Sequence, residues 1–238
     1  MMSLERMRES AWIADAFVSG PIRAVVLRFH GLGDPGLRVA PSYSELEWAD
    51  AGALIVMPYL GPWYWMNRQS RAATDELVDG LYQNFMLSGT TPLIATGGSL
   101  GGFAALLYAR YARRPVAACA ALHPVTDVKF SFSERPDVAR TVYAAFQGYP
   151  EDMEALFREH SPLSQVEHMP RIPYLFMHGD ADVAVSRKAH SDPMVKALLE
   201  RGHQVEYHAV PGMGHHDLPS WELHRIQIDF VKRHFAAR

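Results

Sequence analysis

The segment TPLIATGGSLGGFAALLYAR, residues 91–110, sets one serine among four glycines, between an apolar run and a run rich in alanine and leucine. The first run is typical of a buried strand and the second of a helix. A sharp turn between a strand and a helix holds a serine in a strained conformation with its Oγ exposed. Small neighbours are required there, because a Cβ would collide with the strand or the helix. The pattern G-x-S-x-G therefore predicts that Ser99 is a nucleophile, and the alternative is a serine that caps the helix.

Short apolar runs alternate with helical stretches along the rest of the chain. Six runs are predicted as strands: IRAVVLRFHG, GALIVMPYLG, TPLIATGG, PVAACAALHP, RIPYLFMHGD and HQVEYHAVPG. Helices are predicted over residues 72–87, 100–112, 187–201 and 220–234. Runs that are apolar throughout suit parallel strands buried on both faces. We therefore predict an α/β fold, a doubly wound and mostly parallel sheet, as a single domain over residues 1–238.

Two segments depart from this alternation. The first twenty residues contain SAWIADAFVSG, which is compatible with a pair of strands or with a short helix. Residues 127–160 show helical spacing and no strand pattern. We predict a cap-like helical insertion there, with two or three short helices over one end of the sheet.

The composition excludes several classes of function. With 48% hydrophobic and 21% charged residues the chain has the composition of a soluble globular protein. A net charge of −3 without blocks of like charge gives no reason to expect a nucleic-acid or membrane partner. The single cysteine, Cys119, lies in an apolar run and is predicted to be a core residue rather than a reactive thiol. The N-terminus lacks the apolar stretch of a secretory signal, so we expect a cytoplasmic protein.

A nucleophilic serine needs a base and a group that orients the base, and two loops after Ser99 offer both. The fifth predicted strand runs into HGDADV, and the sixth runs into PGMGHHD. The candidate acids are, in order of preference, Asp182, Asp180 and Asp127. The candidate bases are His215 and, second, His216. Asp180 is nearer the strand, where it could instead order the loop through backbone hydrogen bonds.

The first strong strand ends in a glycine-rich loop, His30-Gly31-Leu32-Gly33, at the same predicted edge of the sheet. Backbone amides aimed at a developing oxyanion stabilise acyl transfer by several kcal/mol. The amides of Leu32 and Leu100 are the predicted pair of donors. The alternative is an ordinary turn between a strand and a helix.

The loop after the second predicted strand, PYLGPWYWMNR, is rich in aromatic residues. Ligands bind beyond the carboxyl ends of parallel strands, so Tyr59, Trp63 and Tyr64 are candidate substrate-binding residues. The alternative is that these rings pack the insertion against the sheet. A metal site is not predicted, since His215, His216 and the nearby aspartates lack a recognised ligand spacing.

Four motifs in this order, HGLGD, GGSLGG, HGDADVAV and PGMGHH, resemble the α/β-hydrolase fold superfamily from Ile22 to the C-terminus. Within it, HSPLSQVEHMPRIPYLFMHGDADVAV is similar to the catalytic domain of the prolyl oligopeptidase and dipeptidyl peptidase group and its small esterase relatives. The resemblance implies Ser99 as nucleophile, Asp182 as acid and His215 as base, with the Leu32 and Leu100 amides in the oxyanion hole. It implies no cofactor.

Two departures from those peptidases shape the functional prediction. The peptidases carry a large N-terminal propeller, for which 238 residues leave no room. Some also place a tyrosine hydroxyl in the oxyanion region, where this chain reads Arg28-Phe29-His30-Gly31. We therefore predict a serine esterase that cleaves a small-molecule ester or a short acylated substrate. The alternatives are a peptidase or acylaminoacyl hydrolase of the prolyl oligopeptidase type and, more remotely, a non-catalytic binding protein.

Overall fold

A computed structural model describes residues 2–236, and within them the chain forms one seven-stranded sheet. The strands are β1 (Ala11–Ile13), β2 (Ala24–Phe29), β3 (Ala53–Pro58), β4 (Leu93–Gly98), β5 (Val116–Leu122), β6 (Tyr174–Gly179) and β7 (Val205–Val210). Their order in the sheet is β1-β3-β2-β4-β5-β6-β7. Only β1 is antiparallel, and it pairs with β3. All six predicted strands are present, and the predicted α/β fold is confirmed.

Helices cover both faces of the sheet. They are α1 (Leu4–Ser10), α2 (Tyr43–Asp50), α3 (Arg68–Asn84), α4 (Leu100–Tyr111), α5 (Val128–Glu134), α6 (Pro136–Ala145), α7 (Met153–His160), α8 (Ser191–Glu200) and α9 (Trp221–Arg233). Helices α2 and α9 pack on one face, and the other seven contribute to the core on the opposite face. Successive side chains of β2 point to opposite faces of the sheet. Val25 and Leu27 belong to the core on the face covered by seven helices, and Val26 belongs to the core under α2 and α9.

The stretch SAWIADAFVSG, residues 10–20, forms the single edge strand β1 and a 3₁₀ turn over Asp15–Phe17. It is therefore not a pair of strands, and helix α1 ends at its first residue, Ser10. Helix α2 was not predicted. Its buried positions include Ser44 and Glu45 as well as Trp48, so its hydrophobic periodicity is weak. A capping box at Ser42 and Glu45 starts this helix instead.

Three helices, α5 to α7, occupy the segment predicted as a helical insertion. Two hydrogen bonds hold α6 to the chain that follows β3: Trp65 Nε1 donates to Thr141 Oγ1 at 2.9 Å, and Asn67 Nδ2 donates to the Ala145 carbonyl at 2.9 Å. A cap-like role for these helices stays a prediction. No helix in residues 2–236 has both the length and the apolar character needed to cross a membrane.

Candidate active site

Ser99 lies on a sharp turn between β4 and α4. Its backbone is in the left-handed region, with φ 57° and ψ −124°, which is a strained conformation for serine. The turn is tight, because a Cβ on Gly101 would lie 2.2 Å from the carbonyl oxygen of Phe29. Within residues 2–236 the Ser99 side chain caps no helical N–H. The Ser99 side chain therefore does not act as a cap of α4.

One imidazole connects Ser99 to a carboxylate. His215, in the loop after β7, has its Nε2 3.0 Å from Ser99 Oγ and its Nδ1 2.7 Å from Asp182 Oδ2. The geometry fits a hydroxyl that donates to Nε2 and an Nδ1–H that donates to the carboxylate. Such an arrangement sets up the imidazole as a base toward the serine.

Asp182 is held in place from three sides. Its Oδ1 accepts hydrogen bonds from the amides of Ala184 at 3.0 Å and Val185 at 2.8 Å. Its Oδ2 also lies 3.3 Å from Nε2 of His178. Burial alone would raise the pKa of Asp182, but the hydrogen bonds from His178, His215 and the Val185 amide hold that pKa well below its usual range. Asp182 is thus an ionised carboxylate facing the His215 Nδ1.

The other candidates lie elsewhere. Asp180 Oδ1 accepts the amide of Gly212 at 2.7 Å and ties the acid loop to the histidine loop. Asp127 caps α5, accepting the Phe130 amide at 3.0 Å. The ring of His216 lies edge-on to that of His215, 5.0 Å away, and outside the Ser99–His215–Asp182 chain.

Two histidines next to this chain of hydrogen bonds were not predicted as site residues. His178 is buried, and besides approaching Asp182 it contacts Ser191 Oγ at 2.7 Å and the Val185 carbonyl at 2.8 Å. The ring of His123 lies 4.6 Å from that of His215. Burial, and then the neighbouring His215, lower the pKa of His123 to about 3, so it is neutral near pH 7. Both residues sit at carboxyl ends of strands, which is the signal that could have found them.

Leu32 and Leu100 both lie beside Ser99. Leu100 is the first residue of α4, so its N–H has no partner within the helix. Leu32 lines the cleft in a loop that is fixed from below, since Tyr64 Oη donates to the His30 carbonyl at 2.9 Å. The role of the two amides as an oxyanion hole stays a prediction.

An open cleft of about 470 Å³ lies over Ser99, and a second, smaller and partly open space of about 30 Å³ lies beside it. The small space is mostly apolar, and its lining includes Trp65, Leu100, Val125, Val138 and Val185. Within the described part of the chain, Tyr59, Trp63 and Tyr64 line neither space. Tyr64 is buried under the His30 loop, Tyr59 stacks on His30 at 5.5 Å, and Trp63 is exposed. Trp65 is the residue of the aromatic segment that reaches the site.

The sequence of residues 75–238 matches the profile of the prolyl oligopeptidase family, which is more than half of the chain. The chain belongs to this family. Against proteins with curated descriptions the sequence shows no significant match. Membership in the family confirms the resemblance seen in the motifs.

Solved structures show how this family member relates to larger proteins. Pyrococcus horikoshii acylaminoacyl peptidase superposes with a TM-score of 0.76 at 14% identity, over 96% of this chain and 40% of that one. Porphyromonas gingivalis dipeptidyl peptidase 4 superposes with a TM-score of 0.73 at 16% identity, over 94% of this chain and 33% of that one. A lipase in its open form superposes with a TM-score of 0.67 at 16% identity, over 94% of this chain and 93% of that one. The chain thus spans about 40% of the length of the acylaminoacyl peptidase, and at these identities the likeness shows the fold.

The profile that matches this chain is named for a peptidase, prolyl oligopeptidase. The prediction of a carboxylic ester hydrolase is therefore less well supported than its alternative, a peptidase or acylaminoacyl hydrolase. Among residues 2–236 no group of three histidine, cysteine, aspartate or glutamate side chains is arranged to hold a metal ion.

Proposed function

We propose that this chain is a serine peptidase of the prolyl oligopeptidase type that cleaves short acylated peptides. The observation that carries the proposal is the continuous hydrogen-bond chain from Ser99 through His215 to Asp182 at the carboxyl edge of the sheet. Fold alone would not support an activity, because one fold hosts many functions. The family match supports a peptide as the class of substrate.

In the proposed reaction Ser99 Oγ attacks the carbonyl carbon of the scissile bond while His215 Nε2 accepts its proton. The imidazolium then gives this proton to the leaving nitrogen, and an acyl-enzyme remains. Water, activated by His215, hydrolyses the acyl-enzyme and restores Ser99. Asp182 stays ionised throughout, because its pKa lies well below its usual range, and it stabilises the imidazolium.

The Leu32 and Leu100 amides are proposed to bind the oxyanion of each tetrahedral intermediate. The Leu100 N–H opens α4, where the helix dipole favours negative charge. The small apolar space beside Ser99, with Trp65 and Val138 in its wall, fits a compact apolar group on the acyl portion.

The first test is covalent labelling by a fluorophosphonate, together with turnover of acetyl-alanyl-p-nitroanilide and of p-nitrophenyl esters from acetate to octanoate. Ser99→Ala should abolish labelling and turnover. The matched control is Ser88→Ala, since Ser88 lies in an exposed loop and, among residues 2–236, its side chain hydrogen-bonds only to Thr90. Both variants are checked by thermal unfolding.

The outcomes separate the functional alternatives. Anilide turnover that depends on Ser99 supports the peptidase. Labelling with ester turnover but no anilide or peptide turnover would favour the esterase prediction. Ester turnover by itself does not distinguish the two, because a serine peptidase also cleaves activated esters. A wild-type protein that is neither labelled nor active would leave a binding protein and refute the proposal.

A further inference from the structure

Three arginine side chains line the same cleft as Ser99, and one of them, Arg135, is paired with Asp137. The other two are Arg28 and Arg38. Arg28 comes from the end of β2, where it interrupts an apolar strand, and Arg38 comes from the loop between β2 and α2. Both approach one fully buried carboxylate, that of Glu45: Arg28 Nε lies 3.0 Å and Arg38 Nη1 lies 3.4 Å from its Oε1. Two guanidinium groups therefore share one acidic partner.

Among residues 2–236, most N–H groups of the Arg28 and Arg38 guanidinium groups donate no hydrogen bond. Each guanidinium carries five donors. Apart from Glu45, Arg38 Nε donates to the Ala40 carbonyl at 2.7 Å. Within residues 2–236 the terminal nitrogens of Arg28 donate no hydrogen bond. About a quarter of each side chain is exposed, at 25% and 28%, so both remain within reach of a bound molecule.

Arg28 and the apolar space are associated with opposite faces of the sheet. Arg28 is two residues from Val26 and so shares its face of the sheet, under α2 and α9. Leu100 and Val138, which line the apolar space, belong to the core on the other face. His215 lines the cleft that holds the arginines and does not line the apolar space. Because His215 delivers the proton to the leaving nitrogen, the arginines lie on the side of the leaving portion.

We infer that Arg28 and Arg38 bind a carboxylate on the leaving portion of the substrate, as found at the C-terminus of a short acylated peptide. The inference rests on the proposed function, which defines the leaving portion. Two guanidinium groups with free donors match the two oxygens of a carboxylate. In the reaction the C–N bond breaks, water supplies a hydroxyl to the acyl carbon and a proton to the amine, and a free amino acid leaves.

Asp34 narrows the chemical class of the ligand. It lines the same cleft, and in the described part of the chain it forms no ion pair with either arginine. Its negative charge disfavours a ligand with two negative charges. A single carboxylate therefore suits this end of the cleft better than a phosphate monoester.

The kinetic test compares acetyl-alanyl-alanine with acetyl-alanyl-alaninamide, which share the scissile bond and differ only in the terminal charge. Release of the amine is followed with a fluorogenic amine reagent. Charge-assisted hydrogen bonds predict that kcat/KM for the acid exceeds that for the amide by roughly 10- to 100-fold. In Arg38→Gln this ratio should fall to within about threefold of unity.

Arg28→Lys is the second variant. It keeps a positive charge beside Glu45, so the buried carboxylate stays paired, but it loses the planar pair of donors. It should lower the same ratio by a smaller factor. Arg6→Gln is the matched control, since Arg6 is exposed on α1 and lines neither space.

A binding measurement keeps the inference separate from the activity. Titration calorimetry on the Ser99→Ala protein measures the Kd of the same acid and amide. The acid should bind roughly 10-fold or more tightly, with an advantage that shrinks in added salt and disappears when Arg38→Gln is combined with Ser99→Ala.

Equal affinity for acid and amide, or a preference that survives both arginine variants, would overturn the inference whatever the activity of the wild type. A binding preference without any hydrolysis would support the carboxylate subsite and count against the proposed function. A preference seen only between succinyl- and acetyl-alanyl-p-nitroanilide would put the arginines on the acyl side and overturn the assignment to the leaving portion.

Discussion

Gly179 ends β6 where the acid loop and the histidine loop meet, and adding one methyl group there should displace His215. A Cβ on Gly179 would lie 1.8 Å from the carbonyl oxygen of Met213. Real Cβ atoms keep at least 3.0 Å from such an atom, so Met213 must retreat by the difference, about 1.2 Å. Met213 precedes His215 by two residues in the same loop.

If this shift reaches the imidazole, the 3.0 Å contact between His215 Nε2 and Ser99 Oγ lengthens beyond the range of a hydrogen bond. Misplacing a reacting group by about 1 Å costs on the order of 100-fold in rate. That factor corresponds to about 2.7 kcal/mol of transition-state stabilisation. Overpacking should also lower the free energy of unfolding by about 1–3 kcal/mol.

The assay measures kcat/KM and the rate of fluorophosphonate labelling for Gly179→Ala. Gly89→Ala is the matched control, because a Cβ at this exposed position would have no described atom within 4 Å apart from the glycine itself and its two chain neighbours. Thermal unfolding shows that each variant is folded at the assay temperature. A Gly179→Ala protein with wild-type labelling rate and wild-type Tm would refute the argument that the two loops set the distance between His215 and Ser99.

Three further outcomes follow from buried groups. Burial lowers the pKa of His160 to about 4, so the unfolded state binds more protons between about pH 4 and 6.5 and folding free energy is lost as the pH falls through this range. The loss of folding free energy is on the order of 2–3 kcal/mol. In His160→Gln the free energy of unfolding should therefore fall less steeply with decreasing pH than in the wild type. An unchanged dependence on pH would contradict this. Tyr64→Phe removes the hydrogen bond to the His30 carbonyl and should cost about 1 kcal/mol of stability and lower kcat more than it changes KM. Trp63→Ala is its control, and equal effects of the two variants would argue against a supporting role for Tyr64. Burial raises the pKa of the Cys119 thiol, so iodoacetamide should modify it only in denaturant, and rapid modification of the native protein would disprove that burial.

The local pattern of the sequence determined strands β2 to β7, most helices and the turn that carries Ser99. These features depend on periodicity and on glycine, both of which act over a few residues. Helix α2 was not predicted, because Glu45 occupies a buried position where an apolar residue would be expected. The charge of Glu45 is compensated by Arg28, which is 17 positions away in the sequence. No local pattern records such a partner.

The tertiary structure decided which of several similar residues meet. Asp180 and Asp182 are two positions apart in one loop, and only its three-dimensional path turns Asp182 toward His215 and Asp180 toward the Gly212 amide. The aromatic segment likewise was expected to face substrate, but the chain path directs Tyr64 under the His30 loop and Trp65 toward the small apolar space. Side chains from distant segments meet when the parallel strands bring their carboxyl ends together, so spacing along the chain ranks the candidates but does not fix their contacts.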